Sequence, residues 1–236
     1  MFELFPSDFT KGQDSIPING LIWMGDKSYM KQQIKDKLAA GFSCIKLKIG
    51  AINFDKELEL LKSIRNEFDA QTIEIRVDAN GAFKPYEALE KLKRLSDYKL
   101  HSIEQPIQQG QLQEMAQLCA VTPLPIALDE ELIGVFSVTN KDLLLQTIKP
   151  QYIILKPSLL GGFSPCDEWI SEAQKLDINW WATSALEGNI GLLAIAEWAS
   201  SYDLSLPQGL GTGALYKENY PSSLSLEKDT LRYKIN

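Results

Sequence analysis

Short apolar runs and amphipathic helical patterns alternate along this chain, and that alternation limits the folds open to it more than any other feature. Strand-like runs fall at residues 17–24, 44–49, 72–79, 100–106, 124–130, 152–158 and 178–185. Between most of them, apolar residues recur three and four apart, the spacing that gathers them on one face of a helix. The clearest such face runs over 54–68 and carries Phe54, Leu58, Leu61, Ile64 and Phe68. Others occupy 85–95, 111–120, 140–148, 165–176 and 190–200. One more begins near Lys27 and stops at Gly41, where glycine can take the left-handed turn that ends a helix. A short eighth strand is expected at 204–206, ahead of a glycine-rich loop. Strands separated by helices pair in parallel through right-handed crossovers. The repetition therefore predicts an α/β protein, a (β/α)7β-type TIM-like barrel. The competing open, doubly wound sheet carries a GxGxxG turn after its first strand, and no such turn stands there.

Composition narrows the chemistry. The 236 residues are 44% hydrophobic and 23% charged, enough apolar material for a large core. Net charge is −7 with no basic stripe, which argues against a nucleic-acid partner. No apolar run approaches the ~18–20 residues of a membrane span, and the opening MFELFPSDF does not read as a signal peptide. A cytoplasmic protein is the expectation. Cys44, Cys119 and Cys166 stand far apart without a CxxC, so neither a disulfide scaffold nor a zinc knuckle is indicated. There is one histidine, His101. Most histidine triads and most zinc sites are thereby excluded, and catalysis has to rest on carboxylates and lysines.

Barrel active sites gather at the C-terminal ends of the strands. Lys46 and Lys48 end the second strand on one face, because side chains alternate along a strand. Asp78 ends the third, Glu104 the fourth, Asp129 the fifth and Lys156 the sixth, at intervals of 25 to 30 residues. Taken singly, a lysine at a strand end is ordinarily solvated, an aspartate after a strand is ordinarily a cap, and Asp129-Glu130-Glu131 reads as an acidic corner. Recurrence at five successive strand ends is what such readings do not supply. Three carboxylates brought together repel unless a cation neutralises them. Oxygen ligands without histidine or thiolate favour Mg²⁺, or Mn²⁺, over zinc. Lysines beside such an ion suit proton abstraction next to a carboxylate.

The motifs KLK at 46–48, VDAN at 77–80, IEQP at 103–106, LDE at 128–130, LKP at 155–157, TSALEGNIG at 183–191 and GLGTG at 209–213 resemble, in this order and spacing, the enolase superfamily. The branch is the muconate-lactonizing-enzyme-like one, and the chain looks most like its o-succinylbenzoate synthases. The resemblance implies that Asp78, Glu104 and Asp129 bind Mg²⁺ and that Lys48 is the general base. It implies that Lys46 holds the substrate carboxylate and depresses the pKa of Lys48, and that Lys156 faces the substrate from across the mouth. Asn80 and Gln105 would support the ligands. Ser184, Gly209 and Gly211 would contact substrate at the rim. The implied reaction is dehydration of a small carboxylate, a hydroxycyclohexadiene, on the menaquinone pathway. Racemisation of N-succinylamino acids or epimerisation of dipeptides is the alternative within the branch, and a non-catalytic barrel the alternative outside it. His101 begins its strand, at the wrong end for a base, and reads as packed or surface. Trp23, Trp180 and Trp181 read as core or pocket wall.

Family members carry an N-terminal α+β capping domain before the barrel. Here residues 1–16 read as a remnant of the cap–barrel linker, 17–215 as the barrel, and 216–236 as a tail that would pack on a cap. Both ends look extended or irregular. A separately encoded capping domain, or a homo-oligomer, is the expected partner.

Overall fold

The structure, a computed structural model, describes residues 3–212 and 215–235. Gly213, the last glycine of the GLGTG loop, lies outside the described residues, as do residues 1, 2 and 236 of the expected end segments.

Seven parallel strands follow one another around a curled sheet in chain order. They are β2 (Gly20–Ile22), β3 (Cys44–Lys48), β4 (Glu74–Asp78), β5 (Ser102–Glu104), β6 (Ile126–Leu128), β7 (Tyr152–Leu155) and β8 (Asn179–Ala182). Between and after them come α1 (Lys27–Ala39), α2 (Phe54–Glu67), α3 (Pro85–Ser96), α4 (Leu112–Val121), α5 (Val138–Ile148), the single turn α6 (Pro157–Leu160), α7 (Phe163–Gln174) and α8 (Asn189–Ala199). The sequence marks where helices start. The Asp26 side chain accepts the Tyr29 N–H before α1, Asn53 accepts those of Asp55 and Lys56 before α2, and Pro85 opens α3. Such caps satisfy N–H groups that a helix cannot satisfy internally.

The expected eighth strand at 204–206 is not a strand. The closing pair lies further on, where Gln208 bridges Ile18 and Gly209 bridges Thr183, both in parallel. Gln208 N donates to Pro17 O at 2.7 Å, Asn19 N to Gln208 O at 3.0 Å, and Gly209 N to Ala182 O at 2.8 Å. Pro207 has no N–H to give a ladder, so pairing begins only after it.

Strand side chains that point outward, including Ile45, Leu47, Ile75, Val77 and Ile103, are buried beneath the apolar faces of the helices. Leu58, Leu61 and Ile64 form the buried face of α2, as its spacing predicts. Each such side chain contributes roughly 1.5–3 kcal/mol by leaving water. A smaller apolar cluster of Ala127, Ile154 and Trp181, with Tyr152 and Leu206 against it, is separate from that core. Its strand members share the face that carries the lysines and carboxylates.

Parts of the two chain ends are extended and pair with each other, while residues 3–14 and 215–223 hold no helix or strand. β1 (Ser15–Pro17) pairs with β10 (Thr230–Tyr233), which pairs with β9 (Leu224–Glu227), making a three-stranded antiparallel sheet. Short length and weak alternation hid these strands from a pattern search. Among the described residues, no helix is long and apolar enough to cross a membrane.

Candidate active site

Strand register brings the expected charges to one level. Lys48 lies opposite Asp78 and Asp78 opposite Glu104 in adjacent strands. Asp129 and Lys156 each follow directly on their strand, after β6 and β7. Lys46, Lys48 and Lys156 line one cavity of about 310 Å³, together with Ser184, Gly209 and Gly211. Leu21, Trp23, Leu159 and Leu186 supply apolar wall.

The lysines lie on the carboxylates. Lys46 Nζ is 2.9 Å from Asp78 Oδ2 and also pairs with Glu104, while Lys48 Nζ is 2.6 Å from the same Asp78 oxygen. Lys156 pairs with Asp129. Asp78, Glu104 and Asp129 are buried. Burial alone would raise the Asp78 carboxyl, but the ammonium groups of Lys46 and Lys48 outweigh it and hold it well below the usual range. Burial pulls Lys46 and Lys156 down, yet their carboxylate neighbours leave both raised. Glu104 goes the other way. Burial, and then the charge of Asp78, push its carboxyl well up despite Lys46.

That imbalance bears on a metal. Among the described residues, no group of three ligating side chains is gathered tightly enough to hold an ion as they stand. The donor set nonetheless fits a hard divalent cation, being three buried carboxylates from successive strands. Among the described residues, Glu104 Oε1 is buried without a hydrogen-bond partner, and a cation beside it would relieve the repulsion from Asp78 that helps to raise this carboxyl. The residues fit the ion that the sequence implies.

Asn80 and Gln105, the residues expected to support the ligands, both have positive φ (43° and 39°), a conformation uncommon outside glycine and associated with functional sites. Each turns its side chain onto the next part of the site. Asn80 Oδ1 accepts from Lys48 Nζ at 2.6 Å, and Asn80 Nδ2 donates to Glu130 Oε1 at 2.9 Å. Gln105 Oε1 accepts the N–H groups of Asp129 and Glu131, and its Nε2 donates to Glu131 Oε2 at 2.9 Å. Glu104 and Asp129 are thus tied together through Gln105. The sequence marks Glu130 and Glu131 only as part of an acidic corner and, for Glu130, of the LDE motif, with no role in the site. The available signal was the run of three acids, which would repel one another unless each had its own partner.

At the rim, Ser184 Oγ accepts the Leu186 N–H at 2.8 Å, and Ser184 N donates to Gly209 O. The Gly209 N–H is committed to the closing ladder, so this glycine holds the barrel shut rather than presenting a free amide. His101 sits before β5, away from the mouth, with its ring 4.9 Å from Tyr152. Trp23 is pocket wall and Trp181 is buried under Arg76, whose guanidinium stands 4.3 Å from its ring. Trp180 packs outside against Trp198 and Tyr202.

A family model described as enolase C-terminal domain-like matches residues 29–228. The chain belongs to that family. Within the enolase C-terminal domain-like family it is 59% identical, over 95% of its length, to o-succinylbenzoate synthase of Desulfotalea psychrophila, of which it covers 61%. The crystal structure titled MenC from the same organism superposes with a TM-score of 0.92 at 56% identity, over 98% of this chain and 64% of that one. Muconate lactonizing enzyme from Pseudomonas putida superposes with a TM-score of 0.81 at 26% identity, over 93% of this chain and 60% of that one. The chain therefore spans less than two thirds of each of these relatives.

Proposed function

We propose that this chain is the barrel of a Mg²⁺-dependent carbon–oxygen lyase of the o-succinylbenzoate synthase type. It would convert 2-succinyl-6-hydroxy-2,4-cyclohexadiene-1-carboxylate to 2-succinylbenzoate, a step of menaquinone synthesis in the cytoplasm. The observation that carries this reading is one cavity lined by Lys46, Lys48 and Lys156, lysines that pair with the three carboxylates Asp78, Glu104 and Asp129. The printed name of the 59%-identical relative supports it. Mg²⁺ held by Asp78, Glu104 and Asp129 would supply Lewis-acid neutralisation of charge at the substrate carboxylate. Lys48 takes the proton from the carbon beside that carboxylate and returns it to the departing hydroxyl, which leaves as water. Lys46, kept charged by Asp78 and Glu104, offers the substrate carboxylate a fixed positive partner. Lys156 places its ammonium against the face of the ring, and aromatisation drives the reaction forward. Ser184 and Gly211 line the end of the cavity proposed for the succinyl arm.

The test is loss of diene absorbance on mixing this chain with the cyclohexadiene carboxylate, with Mg²⁺ and with EDTA. Turnover is expected with Mg²⁺ alone and is expected to vanish in Lys48→Ala with the fold intact. Full turnover in that variant would overturn the assignment of the base. A second reading, racemisation of N-succinylamino acids, is favoured by one observation: Lys156 lines the same cavity as Lys48, so a second base is in place. Exchange of the α-proton of an N-succinylamino acid in deuterium oxide would reveal it.

We also infer that another body covers the mouth, a capping domain in the first instance. Phe136, Ile190, Leu186 and Tyr216, all in loops or helix starts after the strands, are exposed apolar side chains, a surface at the strand-end side of the barrel suited to association. Sedimentation velocity would read self-association, the alternative, directly.

A further inference from the structure

Among the described residues Lys48 has two partners, and they differ in kind. One is Asp78, the proposed ion ligand; the other is the side-chain oxygen of Asn80. Asn80 is exposed at the mouth, and an exposed carboxamide is free to turn over and present its NH₂ group instead. A carboxylate can only accept hydrogen bonds. Glu130 Oε1 takes the Asn80 Nδ2–H at 2.9 Å, which forces Oδ1 toward Lys48. The Asn80 backbone is fixed as well, with φ 43° and its N–H donating to Asp78 Oδ1 at 3.0 Å. Glu130 comes from the 3-10 turn Glu130–Leu132 after β6, fifty residues along the chain from Asn80, and its other oxygen is buried without a partner among the described residues. A carboxylate held in that costly state without a local role would be expected to swing into water.

We propose that Glu130 is a positioning residue for Lys48. By accepting from Asn80 it fixes the polarity of the carboxamide, and the carboxamide then holds the lysine in the mouth. This inference rests on the proposed role of Lys48 as the base, and it deepens that role. When an ion occupies Asp78, Asn80 becomes the anchor that remains to Lys48, so its orientation matters most in the loaded site.

The polarity can be inverted and restored. In Glu130→Gln, two carboxamides face each other and either orientation of Asn80 is satisfied, so Lys48 loses a dependable acceptor. In Asn80→Asp, two carboxylates confront each other. The double variant Asn80→Asp/Glu130→Gln again presents an acceptor to Lys48 and a donor to the oxygen beside it. The direct readout is the NMR signal of the Lys48 εCH₂ group in protein labelled with ¹³Cε-lysine, assigned by its loss in Lys48→Arg. A held lysine gives two separate ε-proton shifts and a freely rotating one gives a single averaged shift. We expect separate shifts in the native chain, one averaged shift in Glu130→Gln and Asn80→Ala, and recovery of the split in the double variant. The buried Lys141 signal should stay constant and so report an intact fold. In turnover, Glu130→Gln should lower kcat about ten- to a hundredfold, as misplacement of a catalytic group does, with KM within about twofold, and the double variant should regain most of it. Unchanged Lys48 shifts in Glu130→Gln, or a double variant no better than the single ones, would overturn the proposal. A native chain with no turnover under any condition would count against the lyase reading alone, because the NMR arm still decides the position of Lys48.

Discussion

Asp129, Glu130 and Glu131 are consecutive, yet each carboxylate faces a different partner: Lys156, Asn80 and Gln105. The tight turn after β6 makes this possible, because successive side chains of a 3-10 turn point about a third of a revolution apart. A run of acids that would repel as a cluster is thereby distributed around the site. The same scale decides what His101 does. Burial against Tyr152 and Trp181 lowers its pKa, with Glu74 pulling it up and Arg76 down. A histidine whose folded pKa lies below its unfolded value near ~6.5 favours folding above that value. The contribution is lost as pH falls toward and through the folded pKa, since the unfolded chain then binds the extra proton. The urea midpoint of the native chain should therefore drop between pH 7.5 and pH 5 more steeply than that of His101→Phe, whose ring can occupy the same aromatic stack. Parallel pH profiles for the two chains would contradict this. The charges of the site were legible in the sequence because each sits at a strand end and recurs once per strand–helix unit. Glu130 and Glu131 were not, because the direction of a side chain in a short turn depends on dihedral angles that no spacing reveals.

At the level of elements, closure of the barrel hangs on a very short piece of chain. Gln208 and Gly209 lie between Ile18 on one side and Thr183 on the other, and the Gln208 side chain adds a bond to the Ala182 N–H at 2.7 Å. The approach at Gly209 leaves no room for a side chain. A Cβ there would stand 2.1 Å from Thr183 Oγ1 and 2.6 Å from Thr183 Cβ. Gly209→Ala should therefore cost about 1–3 kcal/mol, the usual penalty of overpacking, read as a lower urea midpoint. It should also disturb the cavity, because both Gly209 and Thr183 line it. An unchanged midpoint would mean that the seam yields, and that closure adds little to stability. Elements of the barrel were readable where two signals agreed. The apolar face over 54–68 predicts α2 to within a residue of its observed end, and Lys46 and Lys48 alternate with Ile45 and Leu47 as a strand requires. The eighth strand was misplaced because Leu204 and Leu206 are apolar and alternate, whereas the pairing is decided by where N–H groups become available after Pro207. The terminal sheet escaped because β1 is three residues long and owes its existence to β10, more than two hundred residues away.

For the molecule as a whole, the mouth couples charge to folding. A chain of net charge −7 keeps three lysines seated on three buried carboxylates at the mouth. Those pairs let the barrel fold without an ion, because no carboxylate of the three is left without a cation in reach. Glu104 is the weak point, raised by burial and by Asp78, with one oxygen unpartnered among the described residues. An ion that enters beside it must displace ammonium groups already seated on carboxylates, so affinity is a difference between two sets of charge contacts rather than the full attraction of one. Binding to the folded chain alone still adds stability by mass action, about 2.7 kcal/mol at a hundred times the dissociation constant. For a domain of this size that corresponds to a rise in Tm of about 5–10 °C. Thermal melts over a Mg²⁺ titration should show this rise, EDTA should reverse it, and Glu104→Gln should abolish most of it by removing the charge the ion is there to meet. An equal rise in Glu104→Gln would place the ion elsewhere on this acidic surface. No rise in the native chain at any Mg²⁺ concentration would mean that the lysines already satisfy the site.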